Sequence, residues 1–239
     1  MKRYIVYIKS VFLLAIVVLL YGFSSQRNNK KSVTELVVEF SNGANLFLSH
    51  EMVNKLLIQS QEKLYFVPKD AIDLRKMEFL LELNDMIKSA QVYLTVNGEV
   101  RAKVEQKCPI ARVSYGDVFY IDEDGFRMPL SSQHSARVPL VYGIVGEADL
   151  ETVYKVALMV YNDSFLKTYV TEIHQNENKE ISLKLRLLDF EVLVGTLYNL
   201  EIKLQNLKAF YQKAKKDKML DVYKSVNLQF ENQVVCTKK

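Results

Sequence analysis

The stretch Asp122-Glu123-Asp124-Gly125 is where this 239-residue chain looks most like chemistry. Carboxylates spaced around a glycine suit the start of a calcium loop, which also needs a bidentate Glu at its twelfth position. Counted from Asp122, that position is Gln133, so the ligand set is incomplete and a solvated hairpin turn is expected instead. Asp122 and Asp124 would act as general acid and base only where their surroundings separate their pKa values, and no pocket-forming neighbourhood is legible around them. His50, His134 and His174 are too far apart for metal-ligand spacing. His50 is expected in the first turn of a helix, and the other two in polar loops. Cys108 and Cys236 leave two states open, a disulfide in an oxidising compartment or two free thiols. There is no glycine-rich phosphate loop and no G-x-S-x-G elbow. The residues therefore predict no enzyme, no metal, no cofactor and no small-molecule substrate.

Charge gives a second lead. The chain carries 32 Lys and Arg against 28 Asp and Glu, a formal net charge of +4. Residues 1–31 hold Lys2, Arg3, Lys9, Arg27, Lys30 and Lys31 and no acid, and setting those aside leaves 26 bases against 28 acids. The basicity thus belongs to the N-terminus. Lys213, Lys215, Lys216 and Lys218 cluster where a helix should end, and there they complement its dipole. A nucleic-acid surface would need a net basic domain with interleaved aromatics, so no nucleic acid is expected.

Tyr4 to Phe23 is a 20-residue stretch with one charge, Lys9. About 20 apolar residues of helix cross a hydrocarbon core. Lys9 lies near its start, where the ammonium can reach the headgroups, and Tyr4, Tyr7, Tyr21 and Phe23 bracket the run as interfacial aromatics. No A-x-A site follows, which favours an uncleaved anchor over a signal peptide. The basic flanks are nearly balanced, so charge alone does not set the orientation. The short leading segment favours residues 1–3 in the cytoplasm, a span at 4–23, a tether at 24–32 and the bulk outside.

Beyond the tether, Glu35 to Phe40 reads as a strand ended by Ser41-Asn42-Gly43. Ser49 can cap a helix with Met52, Val53, Leu56 and Leu57 on its apolar side. Pro68 breaks the chain, and a second helix is expected from about Ala71 to Ser89. Gln91 to Val96 and Val100 to Gln106 then form a hairpin about Asn97-Gly98. The order β-α-α-β-β suits a small sheet covered by two helices. After Pro109, strands are expected at Val118 to Ile121, Phe126 to Leu130, Val138 to Val145, Phe165 to Ile173, Ile181 to Leu187 and Phe190 to Val194. Asp149 should cap a helix carrying Leu150, Val153, Tyr154, Ala157, Leu158 and Tyr161 at helical spacing. The phase of the apolar residues flips near Leu188-Asp189, implying a turn or bulge. The last helix, about Leu197 to Lys216, has a seam of Leu197, Leu200, Leu204, Leu207, Tyr211 and Ala214. That seam is too short for a convincing coiled coil and is expected to pack on the chain's own sheet. A final strand runs from Val226 to Cys236, with Val226, Leu228, Phe230, Val234 and Cys236 on one face.

These elements and several short motifs occur in the order of the bacterial cell division family FtsQ/DivIB. Ala90-Gln91-Val92-Tyr93, Asn97-Gly98 and Val104-Glu105-Gln106 resemble the family's first hairpin. Pro109-Ile110-Ala111-Arg112 resembles the element after it, and Tyr120-Ile121-Asp122 with Gly125 a turn that follows. Met128-Pro129-Leu130 and Val138-Pro139-Leu140-Val141-Tyr142-Gly143 are similar to a later segment. Val226-Asn227-Leu228-Gln229-Phe230 with Asn232-Gln233-Val234-Val235 resembles the last strand. The wording from Asn232 to Lys238 is most similar to members from the Bacteroidota. Asn227 stands for the usual Asp, Gln229-Phe230 for Arg-Tyr, and Leu188-Asp189 lacks an expected glycine.

The resemblance implies an α+β protein: a single N-terminal transmembrane helix, a small β-α-α-β-β POTRA domain at 33–107, and a C-terminal β-rich domain with flanking helices at 108–239. It implies a non-catalytic septal scaffold, a single-pass type II protein of the cytoplasmic membrane with its bulk in the periplasm. Its partners would be FtsB-like and FtsL-like proteins, held by strand addition to the C-terminal edge strand, with other division proteins on the POTRA domain. Tyr223, Val226, Leu228, Gln229, Phe230, Asn232 and Val234 would form the binding site. The alternative is another single-span, POTRA-containing envelope transport or assembly protein.

Overall fold

The computed structural model describes residues 2–29, 33–41, 46–60, 72–144, 146–231 and 233–239. Residues 30–32, the turn at Asn42-Gly43, the break at Pro68 and Asn232 lie outside that set, while residues 24–29, expected as tether, are helical. Lys2–Asn29 is one helix, α1, which contains the whole of 4–23. Its side chains are described at Tyr7 and from Lys9 to Ser25, and all of these are exposed. Among the described residues no helix is long and apolar enough to cross a membrane. The chain divides into two compact units, Met1–Gln106 and Lys107–Lys239.

The first unit contains β1 (Glu35–Phe40), α2 (His50–Ser60), α3 (Leu74–Glu82), β2 (Ile87–Leu94) and β3 (Glu99–Gln106). Its sheet has the order β1-β3-β2, with β1 parallel and β2 antiparallel to β3. The Ser49 hydroxyl accepts the Met52 N–H at 3.2 Å, and the Asp73 carboxylate accepts that of Lys76 at 3.0 Å. Each side chain satisfies a donor that a helix start leaves free. Val53, Leu57, Met77 and Leu81 pack onto Ala90, Val92, Val100, Ala102 and Val104. The second helix is shorter than its apolar pattern predicts, and β2 starts at Ile87 rather than Gln91. Asn84 forces the reversal: its side chain accepts the Met86 N–H and its carbonyl that of Ile87. Gln106, buried at the end of β3, accepts the Phe47 N–H at 3.1 Å and donates to the Leu48 carbonyl at 3.3 Å.

The second unit contains β4 (Pro109–Tyr115), β5 (Asp117–Asp122), β6 (Arg127–Met128), β7 (Leu140–Tyr142), α4 (Glu147–Asn162) and α5 (Ser164–Tyr169). It continues through β8 (Val170–Gln175), β9 (Ile181–Leu185), β10 (Glu191–Gly195), α6 (Leu200–Lys216), β11 (Tyr223–Asn227) and β12 (Val235–Lys238). Its described strands form one nine-stranded sheet, ordered β12-β11-β10-β9-β8-β7-β4-β5-β6. Val113, Ile121, Val141, Ile173, Leu183, Val192 and Val226 share one core with α4, α5 and α6. The alternate positions Leu140, Tyr142, His174, Lys184 and Glu191 are exposed. The sheet therefore has one dry face and one wet face. The apolar seam of α6 lies in this core, and Asp149 proves to be the third residue of α4, where its carboxylate accepts the Gly146 N–H at 3.0 Å.

Several expectations need correction. The sequence reading missed β4. β6 stops before Pro129, which has no N–H to continue a ladder. β7 covers three residues and ends at Gly143, whose φ is +82°. Phe165 to Tyr169 is helical, because the Asp163 carboxylate accepts the N–H groups of Phe165 and Leu166 at 2.9 and 3.0 Å. His174 is in β8 opposite Tyr142, not in a loop. The turn at Leu187 takes a positive φ of 61° without a glycine and leaves that side chain 94% exposed. The final strand is a hairpin, β11 and β12, not one run. Cys108 and Cys236 are both free. Their ends of the sheet are separated by six strand spacings, about 29 Å, far beyond disulfide reach.

Two outcomes are expected. A Cβ on Gly143 would lie 1.8 Å from the Gln175 carbonyl oxygen, so Gly143→Ala should cost at least about 2 kcal/mol in a urea titration. Burial, and then a hydrogen bond with Tyr169, push the Tyr211 phenol up to about 12. A raised value stabilises the fold while the phenol stays protonated, so that contribution is complete below pH 10.0 and lost as pH rises toward about 12. Tyr211→Phe should flatten this alkaline loss in thermal melts between those two values.

Candidate functional site

The Asp122 carboxylate does structural work. Asp122 is 1% exposed, and one of its oxygens accepts the Asp124 N–H at 3.0 Å and the Phe126 N–H at 2.8 Å. Its other oxygen faces Lys107 at 3.7 Å. The carboxylate is thus spent on closing the β5–β6 turn. His50 meets the Phe40 ring edge-on, with centroids 4.8 Å apart. Among the described residues no group of His, Cys, Asp and Glu could hold a metal ion.

The geometry with most capacity for recognition is the end of the large sheet. β10 leads through α6 to β11, which returns parallel to it with Val192 opposite Val226. β11 then pairs antiparallel with β12, with Val226 opposite Cys236 and Asn227 opposite Val235. β12 is outermost, and no further strand lies beyond it among the described residues. An outermost strand turns every second N–H and C=O away from its neighbour. Lys239 ties this end down, its N–H bonded to the Val222 carbonyl at 2.9 Å and its ammonium to Asp189 at 3.1 Å. Burial raises the pKa of the Cys236 thiol, which keeps it protonated and unreactive at neutral pH.

The loop between the two strands is ordered by Asn227. Its side-chain oxygen accepts the Gln229 N–H at 2.8 Å, while the Leu228 N–H reaches back to the Leu193 carbonyl at 2.8 Å. The Asn227 amide also donates to the Gln229 side-chain oxygen at 3.3 Å on the exposed side; Asp would keep the acceptor and lose only this donor. Gly195 lies beneath, with φ +72°, and a Cβ there would come within 2.6 Å of the Gln229 amide. Beside the loop is a cavity of about 370 Å³ whose walls include Tyr198, Ile202, Lys203, Leu228, Gln229 and Phe230. Lys203 is 9% exposed and donates to the carbonyls of Val194 and Thr196, both at 2.9 Å. Burial lowers its pKa.

The sequence-predicted site residues therefore divide. Val226 and Leu228 are 0% and 2% exposed and belong to the core. Tyr223 and Val234 are half-buried, and Tyr223 meets Phe210 edge-on at 5.4 Å. Gln229 and Phe230 are exposed at the cavity, and Asn232 lies outside the described residues. The last helix was expected to flank this surface, and Ile202 and Lys203 of α6, with Tyr198 just before it, line the cavity; Val235, Thr237 and Lys238 of β12 are exposed beside it and were not among the expected residues. Glu231, Asn232 and Gln233, three polar residues in a row, were the available sign of a break in the strand.

Comparison with known proteins gives two matches. A family model described as FtsQ/DivIB, C-terminal related, matches residues 108–237, and one described as a POTRA-like domain matches residues 33–105. No curated protein matches the chain.

Replacing Asn227 tests the loop. Asn227→Ala removes the acceptor for Gln229 and should lower stability by about 1 kcal/mol in chemical denaturation, whereas Asn227→Asp should stay near the parent.

Proposed function

The chain belongs to the FtsQ/DivIB family, and on that premise we propose that it is a non-catalytic scaffold of the cell division machinery that holds an FtsB/FtsL-like complex by strand addition to β12. The observation that carries this reading is the position of β12 at the end of the sheet. A partner strand laid along it would satisfy the outward N–H and C=O groups, so the main chain gives affinity. Selectivity comes from side chains at the edge. Val235 is 40% and Phe230 49% exposed, and the cavity beside Phe230 has room for a partner side chain. Tyr223, Gln229 and Val234 flank that surface, while Val226 and Leu228 hold β11 in place from the core. The absence of a hydroxyl at Phe230 makes the contact apolar.

The reading includes a membrane anchor. It rests on the sequence from Tyr4 to Phe23, 20 residues with one charge, Lys9, a length that crosses a hydrocarbon core of roughly 30 Å. With the N-terminus in the cytoplasm, residues 33–239 lie in the periplasm, at the septum where the partners gather. The POTRA-like unit is a second contact surface for other division proteins.

The test uses the full chain and the FtsB-like protein of the same organism. Deleting 235–239 removes β12 but spares the core strand β11, and co-purification should fall below detection. Phe230→Lys should weaken binding at least tenfold with an unchanged melting temperature. Undiminished recovery of the partner with the deletion variant would refute strand addition at β12, and a fluorescent fusion spread evenly round the envelope would count against septal action.

A further inference from the structure

The sheet of the first unit ends in β1 and β2, and two backbone amides of β2 are already taken. The Val92 N–H donates to the Glu78 carboxylate at 2.8 Å, and the Ala90 N–H donates to the Glu82 carboxylate at 3.3 Å. Both acids come from α3. They are four residues apart, one helical turn, or about 6 Å along the axis. Their partners are two residues apart on a strand, about 6.8 Å. The two repeats match because α3 runs antiparallel to β2, so the earlier acid meets the later amide. The helix cannot drift out of this register. Met77 and Leu81, on its adjoining face, are 0% exposed in the core, and Asp73 fixes its first turn.

We propose that α3 locks this edge, with Glu78 and Glu82 occupying two central donors that an incoming strand would need, and so keeps a second copy of the chain from pairing on β2. The occupant excluded is another β2 because the segment is well suited to pair with itself. Ile87 to Leu94 carries Ile, Val, Tyr and Leu, and Tyr93 is 43% exposed. Two copies meeting antiparallel about a two-fold axis would join their sheets into one, the ordinary hazard of an unprotected edge. A strand that displaced α3 would also leave two carboxylates without their amide donors. The lock does not depend on the family reading, since it rests only on α3 and β2.

The test is made on the full chain in detergent micelles, with a photo-crosslinking residue replacing Tyr93. In Glu78→Ala/Glu82→Ala, amide exchange over 87–94 should speed up at least tenfold, and crosslinked dimer should form. Alanine keeps the helix propensity of α3, so the unit should stay folded. Glu78→Gln/Glu82→Gln keeps an accepting oxygen at both positions, and should remain protected and uncrosslinked. Three results would overturn the proposal: unchanged exchange in the alanine variant, faster exchange without crosslinking, or crosslinking of the glutamine variant as strong as that of the alanine variant. The last would mean that charge repulsion, not capping, keeps the copies apart.

Discussion

A sheet that does not close on itself ends in a strand with backbone donors and acceptors to spare, and those groups must find partners. Much of this chain's organisation answers that requirement. In the first unit α3 crosses the end of the sheet and fills two amides of β2 with carboxylates. In the second unit α4, α5 and α6 all serve one face of the sheet, and none is spent on its β12 end. Of the four strands that end the two sheets, β1, β2, β6 and β12, β2 has two of its amides capped by a helix, while no helix of the second unit packs along β12 among the described residues.

The helices of the second unit explain how β12 stays usable as a strand. α6 carries the chain from β10 back to β11, and its apolar seam buries Leu204, Leu207 and Tyr211 against the sheet. β11 is thereby anchored from below by Val226 and from its end by the Leu228 bond to Leu193. β12 needs only β11 to be held in place. Its own contribution to the core is slight, with Val235, Thr237 and Lys238 all exposed. The edge is thus a lightly invested strand on a heavily invested neighbour.

The β-α-α-β-β order and the faces of α4 and α6 could be read from spacing alone, because each buries one stripe or one face. The errors share a cause, local pattern without local chemistry. Phe165 to Ile173 has the composition of a strand, yet the Asp163 cap starts a helix there. The helical stripe after Leu74 runs on past Glu82, yet Asn84 turns the chain. The terminal hairpin was hidden by parity. Val226 pairs directly with Cys236, so both lie on one face, and in the sequence even-numbered apolar residues continue from one to the other. A hairpin with an even sum of paired positions is indistinguishable, by alternation, from one long strand. The cavity was out of reach for another reason: its walls come from α6 and from the loop after β11, and no periodicity links them.

The parallel joins in the large sheet set the order in which it can assemble. Arg112 meets Leu140, Leu140 meets Glu172, and Val192 meets Val226, each pair bridged by a long excursion of the chain. Closing such excursions costs entropy before any contact repays it, whereas β11 and β12 are joined by a short loop. The hairpin can form quickly but has nowhere to dock until α6 has brought β10 and β11 together. Completion of this edge is therefore a late kinetic event, and a chain caught midway has no finished sheet at its C-terminal end.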